Sequence, residues 1–325
     1  MFANFWMQKK RVATAPLHRW WSSQRDNEWA YSDNDGSTWA EMDGTSDSGG
    51  CFVADDMSFG IVSGSPAYWT CYGGSATKAG FNNAVNGWPE VLSKTVTKFM
   101  RHSNSGGTGD GKLWAAANDG LYYSSDADHT GDSWTKHATV SGNLQDLAMS
   151  GNVWIAPNLT GCWVTTDAGT FNFRTNTHGM MTGEQYCCAI AGSTLWAGGV
   201  NGVCKSTDSG ANWTVYTTTN GLKHNCTRGL AYDSNTGKIW LANDNSTSGG
   251  LSYTSDSGAN WSTKSLTSLT EVKGVIYKDN RIYAWGKVAA NGNGIAYSDD
   301  GGTNWSYAKA NGVDVRSLFF TTRGG

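Results

Sequence analysis

The residues able to do covalent chemistry are few and scattered. Glu occurs five times, and Asp119, Glu184, Asp244 and Glu271 fall in loops or at the starts of repeats. Two carboxyls hydrolyse a glycosidic bond when they stand roughly 5–9.5 Å apart across it, one as acid and one as base or nucleophile. These four are the residues that could supply such a pair. Arg occurs nine times, and Arg228 and Arg316 lie on stretches that read as strands facing an interior, where a guanidinium could hold an anion. His18, His102, His129, His137, His178 and His224 are far apart, and lone loop imidazoles are usually solvated, so no metal and no cofactor is expected. The seven Cys follow no CxxC or zinc spacing, and their odd number favours free, mostly buried thiols. No P-loop, HExxH or strand-to-helix GxGxxG is present.

Composition says what must position such groups. The chain of 325 residues has 42 Gly, 17 Trp and only 4 Pro, with 16% charged residues and a net charge of −3. Coiled coil and collagen need other compositions, and this much aromatic surface is at odds with disorder. The absence of a basic stripe argues against nucleic acid as a partner. No apolar run is long enough to span a membrane, and the first residues lack the order of charges of a secretory leader. Abundant Gly, Ser, Thr, Asn and Trp with few helix formers predict all-β structure rich in tight turns.

A repeat organises the chain. Six segments share the pattern S/T-x-D-x-G-x-x-W. They run through Ser32 to Trp39, Ser124 and Asp126 to Trp134 with an insertion, Thr165 and Asp167 to Gly169, Ser206 and Asp208 to Trp213, Thr254 and Asp256 to Trp261, and Ser298 and Asp300 to Trp305. Asn34 replaces the Asp of the first copy, and the third ends in Phe171 or Phe173. The carboxylate accepts N–H groups of its own turn, Gly takes a positive φ, and Trp folds back over the turn. Such a clasp is structural rather than a calcium site.

A second signature precedes each clasp: Trp114, Trp154, Trp196, Trp240 and Tyr283 recur within short apolar strands. Recurrence at one position of the repeat makes them core packing between units rather than sugar platforms. Aromatics at 39, 88, 134, 173, 213, 261 and 305 are spaced 39 to 49 residues apart, the length of a four-stranded propeller blade. The copy at 50–94 has lost its clasp. Its strands are expected at Cys51 to Val53, Phe59 to Val62, Tyr68 to Thr70 and Trp88 to Val91.

The pattern resembles the Asp-box, or BNR, repeat of sialidase-like and phage-associated β-propellers. The resemblance implies a single seven-bladed β-propeller of four-stranded antiparallel blades. An arm, 1–16, would precede blades at 17–45 plus 313–325, 50–94, 95–140, 143–178, 184–222, 225–268 and 271–312. The C-terminal strand would pair with the N-terminal blade and close the ring. Sialidases need three Arg, a Tyr/Glu pair and an Asp acid, and the Arg-Ile-Pro motif that opens their site is missing here.

Function should then sit in what is not repeated. In a propeller the B–C and D–A loops share one face, opposite the Asp-boxes. That face would carry Arg25, Asp26, Asn118, Asp119, Asn158, Asn201, Asn243, Asp244 and Asn291, suited to hydrogen-bonding sugars or polar protein surfaces. The arm places Phe2, Phe5, Trp6 and Met7 before Lys9, Lys10 and Arg11, an order suited to docking on a partner with aromatic anchors. The expectation is a non-enzymatic binding or structural propeller. It would be a virion appendage or decoration protein that contacts host glycans or neighbouring coat proteins, without nucleic acid or membrane insertion. Two alternatives are a sialidase- or xyloglucanase-like glycoside hydrolase and a cytoplasmic assembly factor, as in the Asp-box propeller that helps build photosystem II.

Overall fold

The computed structural model describes residues 18–24, 29–32, 34, 37–38, 40–41, 60–62, 65–72, 75–80, 90–92, 94, 96–102, 111–124, 134–245, 249–288, 294–308 and 315–322. The expected arm and its Phe2, Phe5, Trp6, Met7, Lys9, Lys10 and Arg11 lie outside these, as do Arg25, Asp26, Asn291, Asp126 and Trp39.

Alternating apolar residues and Gly or Asn turns produce one repeated unit, a four-stranded antiparallel meander. Five follow one another: β8–β11 (Val96–Arg101, Leu113–Ala117, Gly120–Ser124, Thr135–Ser141), β12–β15 (Ala148–Ser150, Val153–Asn158, Gly161–Thr165, Asn172–Arg174), β16–β19 (Gln185–Ala191, Thr194–Gly199, Gly202–Ser206, Thr214–Tyr216), β20–β23 (Thr227–Asp233, Lys238–Asn243, Gly250–Thr254, Ser262–Lys264) and β24–β27 (Leu269–Lys278, Arg281–Val288, Ile295–Ser298, Ser306–Ala308). A further sheet joins β4–β7 (Gly60–Val62, Ser65–Tyr72, Ser75–Gly80, Glu90–Leu92). Another joins the two ends of the chain, β28 (Val315–Thr322) lying beside β1 (His18–Gln24), β2 (Trp29–Ser32) and β3 (Ala40–Glu41). Among the described residues the only helical segments are two single 3₁₀ turns, at Asn176–His178 and Thr218–Asn220.

In the β4–β7 sheet the strand order differs from the sequence reading. Phe59 to Val62 was expected as its second strand, but Gly60–Val62 is its first and pairs directly with Ser65–Tyr72 through Val62 and Ser65. The strand Ser75–Gly80 was not anticipated. Its SATKAG sequence carries only one β-branched residue and no aromatic, so its strand character comes from pairing with β5 rather than from propensity. Cys51 to Val53 lies outside the described residues.

The second strand of each unit is the core. Trp154, Trp196 and Trp240 are fully buried, with Trp114 and Tyr283 nearly so. The clasp aromatic stands just before the fourth strand, not within it, and reaches the neighbouring sheet. Trp261 meets Trp196 edge-on at 6.0 Å, and Trp305 meets Trp240 in the same way at 6.0 Å. In the third clasp Phe171, not Phe173, takes this place: it is buried and meets His137 of the neighbouring sheet edge-on at 4.9 Å. Trp134 is half-buried and lies 6.0 Å from Phe99. Trp213 is buried in the core between the β12–β15 and β16–β19 sheets.

The described clasps close as their residue types require. Asp208 accepts from Ser206 Oγ at 2.8 Å, Asn212 N at 2.9 Å and Asn212 Nδ2 at 2.8 Å. Asp256 and Asp300 repeat the pattern with Thr254 and Asn260, and with Ser298 and Asn304. Asp167 accepts from Thr165 Oγ1 and from the N–H groups of Gly169 and Thr170. Asn34 keeps the geometry without the charge, accepting Thr38 N at 2.9 Å and Ser32 Oγ at 3.0 Å.

The backbone N–H of Asn212, Asn260 and Asn304 is the largest influence holding the clasp carboxyls down to about 2, from an ordinary 3.8. A depressed folded value means the stability is present above about 3.8 and is lost as pH falls through about 2. The melting temperature should therefore drop between pH 4 and 2. In the triple variant D208N/D256N/D300N that part of the curve should flatten, because Asn34 shows that an amide fits the clasp. An unaltered acid limb in thermal scans of the variant would show that these carboxylates carry none of the acid sensitivity.

Five Cys have described side chains, and these are free. Cys162, Cys187, Cys188 and Cys204 are buried and Cys226 is half-buried. His102, expected as a solvated loop residue, is instead buried, with Nε2 at 3.1 Å from Gly151 O and its ring edge-on to Trp154.

Candidate functional site

The first strands of the sheets stand side by side, β16 against β20, β20 against β24, and β24 against β28. Together with β8 and β12 they line a cavity of about 500 Å³. Five of these strands, β8, β16, β20, β24 and β28, share a local irregularity. Pairing with the second strand skips one residue between Val96 and Lys98, Gln185 and Cys187, Thr227 and Gly229, Val272 and Gly274, and Val315 and Ser317. The skipped residues are Thr97, Tyr186, Arg228, Lys273 and Arg316. A bulge re-aims the extra side chain and bends the strand. The fold thus sets Thr97, Tyr186, Arg228 and Lys273 at the same level of the cavity wall, near the end that carries the B–C and D–A loops.

At that mouth a chain of polar contacts crosses three sheets. The Tyr186 hydroxyl donates a short hydrogen bond to Glu184. The Arg228 guanidinium stacks 4.0 Å above the Tyr186 ring, and its Nε lies 3.3 Å from Asp244. Lys273 Nζ reaches Asp244 at 3.1 Å and Glu271 at 2.6 Å, and Lys287 Nζ lies 3.5 Å from the other Glu271 oxygen. On the next sheets Asp146 accepts from Cys188 N at 3.0 Å and faces Lys98 at 3.7 Å. The cations are the more exposed partners: Arg228 is 42% and Lys273 37% exposed, against 12% for Asp244 and 14% for Glu271.

Protonation follows from these contacts. The Lys273 hydrogen bond is the main cause holding the Glu271 carboxyl below its usual range. Burial works against the Lys273 charge, but hydrogen bonds to Glu271 and Asp244 outweigh it and raise the ammonium above its ordinary value. Burial, then the bond to Glu184, pushes the Tyr186 hydroxyl up to about 12.

The four carboxylates suited to glycoside hydrolysis are all engaged. Asp244 and Glu271 share Lys273, Glu184 holds Tyr186, and Asp119 faces Lys94 at 2.9 Å, Lys136 at 3.2 Å and Tyr122 Oη at 3.0 Å. A general acid needs a raised carboxyl. Glu271 and Asp119 are both lowered, Asp119 because its Lys and Tyr hydrogen bonds outweigh burial.

The expected loop face divides. Asn243 is fully buried: its amide donates to His224 O and Thr227 Oγ1 and accepts from Ser252 Oγ. Asn158 is buried and accepts the N–H groups of Thr160 and Gly161, closing its own turn. These two hold loops and present no amide outward, because a buried amide must find its partners inside the protein. Asn201 is exposed and ties Thr182 O at 3.0 Å, and Asn118 is exposed. Glu184, Asp244 and Glu271, three of the four candidate carboxylates, meet at the mouth, whereas Tyr186 and Lys273 reach it without having been singled out by sequence.

Repeated four-stranded meanders, stacked with their first strands around a common cavity, define the β-propeller class. No family model and no curated protein sequence matches the chain. Among solved structures it is similar to the extracellular domain of BT4673 from B. thetaiotaomicron, at 11% identity and a TM-score of 0.59, over 80% of this chain and 35% of that one. The chain thus spans about a third of the length of that structure. It is also similar to Sqt1 of Saccharomyces cerevisiae, at 10% identity and a TM-score of 0.60, over 90% and 82% of the two chains. A third similar structure is YCF48 bound to a D1 peptide, at 14% identity and a TM-score of 0.56, over 86% and 89%. At these identities the likeness shows the propeller fold alone.

Proposed function

We propose that the seven sheets close into one seven-bladed ring, with β28 completing the first blade, and that the chain is a non-enzymatic binding propeller. Its binding surface is the loop-bearing mouth of the central cavity, and its ligand carries negative charge. One observation carries this reading: Arg228 and Lys273 stand out into solvent over carboxylates that are themselves covered. Arg has five N–H donors in a fixed fork, and here Nε serves Asp244 while the side chain, stacked on Tyr186, stays 42% exposed. Peptide binding by a similar propeller, YCF48 with its D1 peptide, agrees with this use of the fold.

In this reading the protein is an appendage or decoration subunit of a virion, made in the cytoplasm, and the arm at 1–16 holds it to neighbouring subunits. The aromatic-then-basic order of that arm and the Asn-, Thr- and Gly-rich loops support this setting. Removing residues 2–12 should abolish incorporation while leaving the thermal melt intact, and retained incorporation would count against it.

The binding reading is tested on immobilised acidic and neutral peptides and glycans at low and high salt. Retention on acidic members, weakened at least tenfold by Arg228→Gln and by salt, is expected. Equal retention of wild type and Arg228→Gln would overturn it.

A further inference from the structure

Below the charged mouth the same cavity turns apolar. Met100, Met149, Ile190, Leu230, Tyr232 and Tyr277 line it, each half-buried. The wall also has backbone to offer. β8, β12, β16, β20 and β24 are each the terminal strand of their sheet, so one edge of each pairs with no strand of its own sheet. An edge strand carries N–H and C=O groups that another extended chain can use.

Three features therefore meet in one place: exposed cations over covered carboxylates, half-buried apolar side chains beneath them, and strand edges. A fatty acid matches the first two and has nothing for the strand edges. An acidic sugar matches the first and has no apolar branch for Ile190 and Leu230. A peptide matches all three.

We propose that the mouth and the cavity form one site for an extended peptide segment of a partner protein. A carboxylate side chain of that segment meets Arg228 and Lys273, and a large apolar side chain next to it enters the cavity against Ile190, Leu230 and Tyr232. This deepens the binding reading above and rests on it. Burial of one leucine-sized side chain is worth about tenfold or more in affinity.

The test uses the full chain and fluorescein-labelled six-residue peptides, blocked at both ends, read by fluorescence polarisation. Their central pairs are Asp-Leu, Asn-Leu and Asp-Ser, with sodium decanoate and sialyllactose as competitors. The Asp-Leu peptide should bind tightest, with Asn-Leu and Asp-Ser each weaker by about tenfold or more. Arg228→Gln should bring Asp-Leu down to the level of Asn-Leu without affecting the melting temperature. Equal binding of Asp-Leu and Asp-Ser would overturn the apolar anchor while leaving the anionic binding face standing. Equal binding of Asp-Leu and Asn-Leu, or no effect of Arg228→Gln, would overturn both. Displacement by decanoate or sialyllactose at concentrations equal to unlabelled peptide would overturn the peptide as occupant.

Discussion

Deleting residues 313–325 should lower the melting temperature by about 10 °C or more in differential scanning calorimetry. β28 pairs with β1 from His18–Thr322 through Gln24–Val315, so its loss strips the innermost strand from a sheet of four. Val315 and Leu318 are almost wholly buried, in a core that also holds Ile276, Tyr283 and Ile295 of the neighbouring sheet. Burying each such side chain is worth about 1.5–3 kcal/mol, so the deletion costs several kcal/mol before any backbone hydrogen bonds are counted. It also turns β1 into an open edge, which invites association with other chains. A synthetic peptide of residues 313–325 added to the truncated chain should recover part of the loss, because pairing with β1 needs no covalent link. An unchanged melt after the deletion would show that the two chain ends do not hold the propeller together.

How much of this could be read in advance depended on whether a residue acts within its own repeat. The clasps were legible because Asp208, Asp256 and Asp300 find every partner within six residues of sequence. The buried row Trp114, Trp154, Trp196 and Trp240 was legible because it recurs. The mouth was not. Strand alternation assumes unbroken pairing, and the bulges at Tyr186, Arg228 and Lys273 interrupt it at one level of the cavity. Adjacent Asn243 and Asp244 looked equivalent in the loop reading. His224 O, Thr227 and Ser252 draw the first inside, while Arg228 and Lys273, from two different sheets, collect the second. No local signal in the sequence distinguishes them. The unanticipated strand Ser75–Gly80 failed for a related reason, since its conformation is imposed by its neighbours.

Trp240→Ala should destabilise the protein by about 3–5 kcal/mol, among the largest effects of any single substitution. The ring is fully buried, lies 4.5 Å from the Tyr253 ring, and takes Trp305 on its edge. Lys238 lies over it at 5.6 Å and donates to Gly301 O of the next clasp at 2.7 Å, so one ring anchors the contact between two sheets. Gly302 shows how tight that contact is. Its φ is +89°, and a Cβ there would stand 2.2 Å from Trp240 Cη2. Gly302→Ala should therefore cost about 2–4 kcal/mol, from positive-φ strain and from overpacking against the ring. The two substitutions should not add. With Trp240 reduced to Ala the overpacking vanishes, and Gly302→Ala should then cost only its backbone strain, about 1 kcal/mol. Urea unfolding of the wild type, both single variants and the double variant measures this coupling, provided all four unfold in one transition. Strict additivity would mean that the clasp and the Trp240 ring do not press on one another, and the clasp would then be a local turn rather than a joint between sheets.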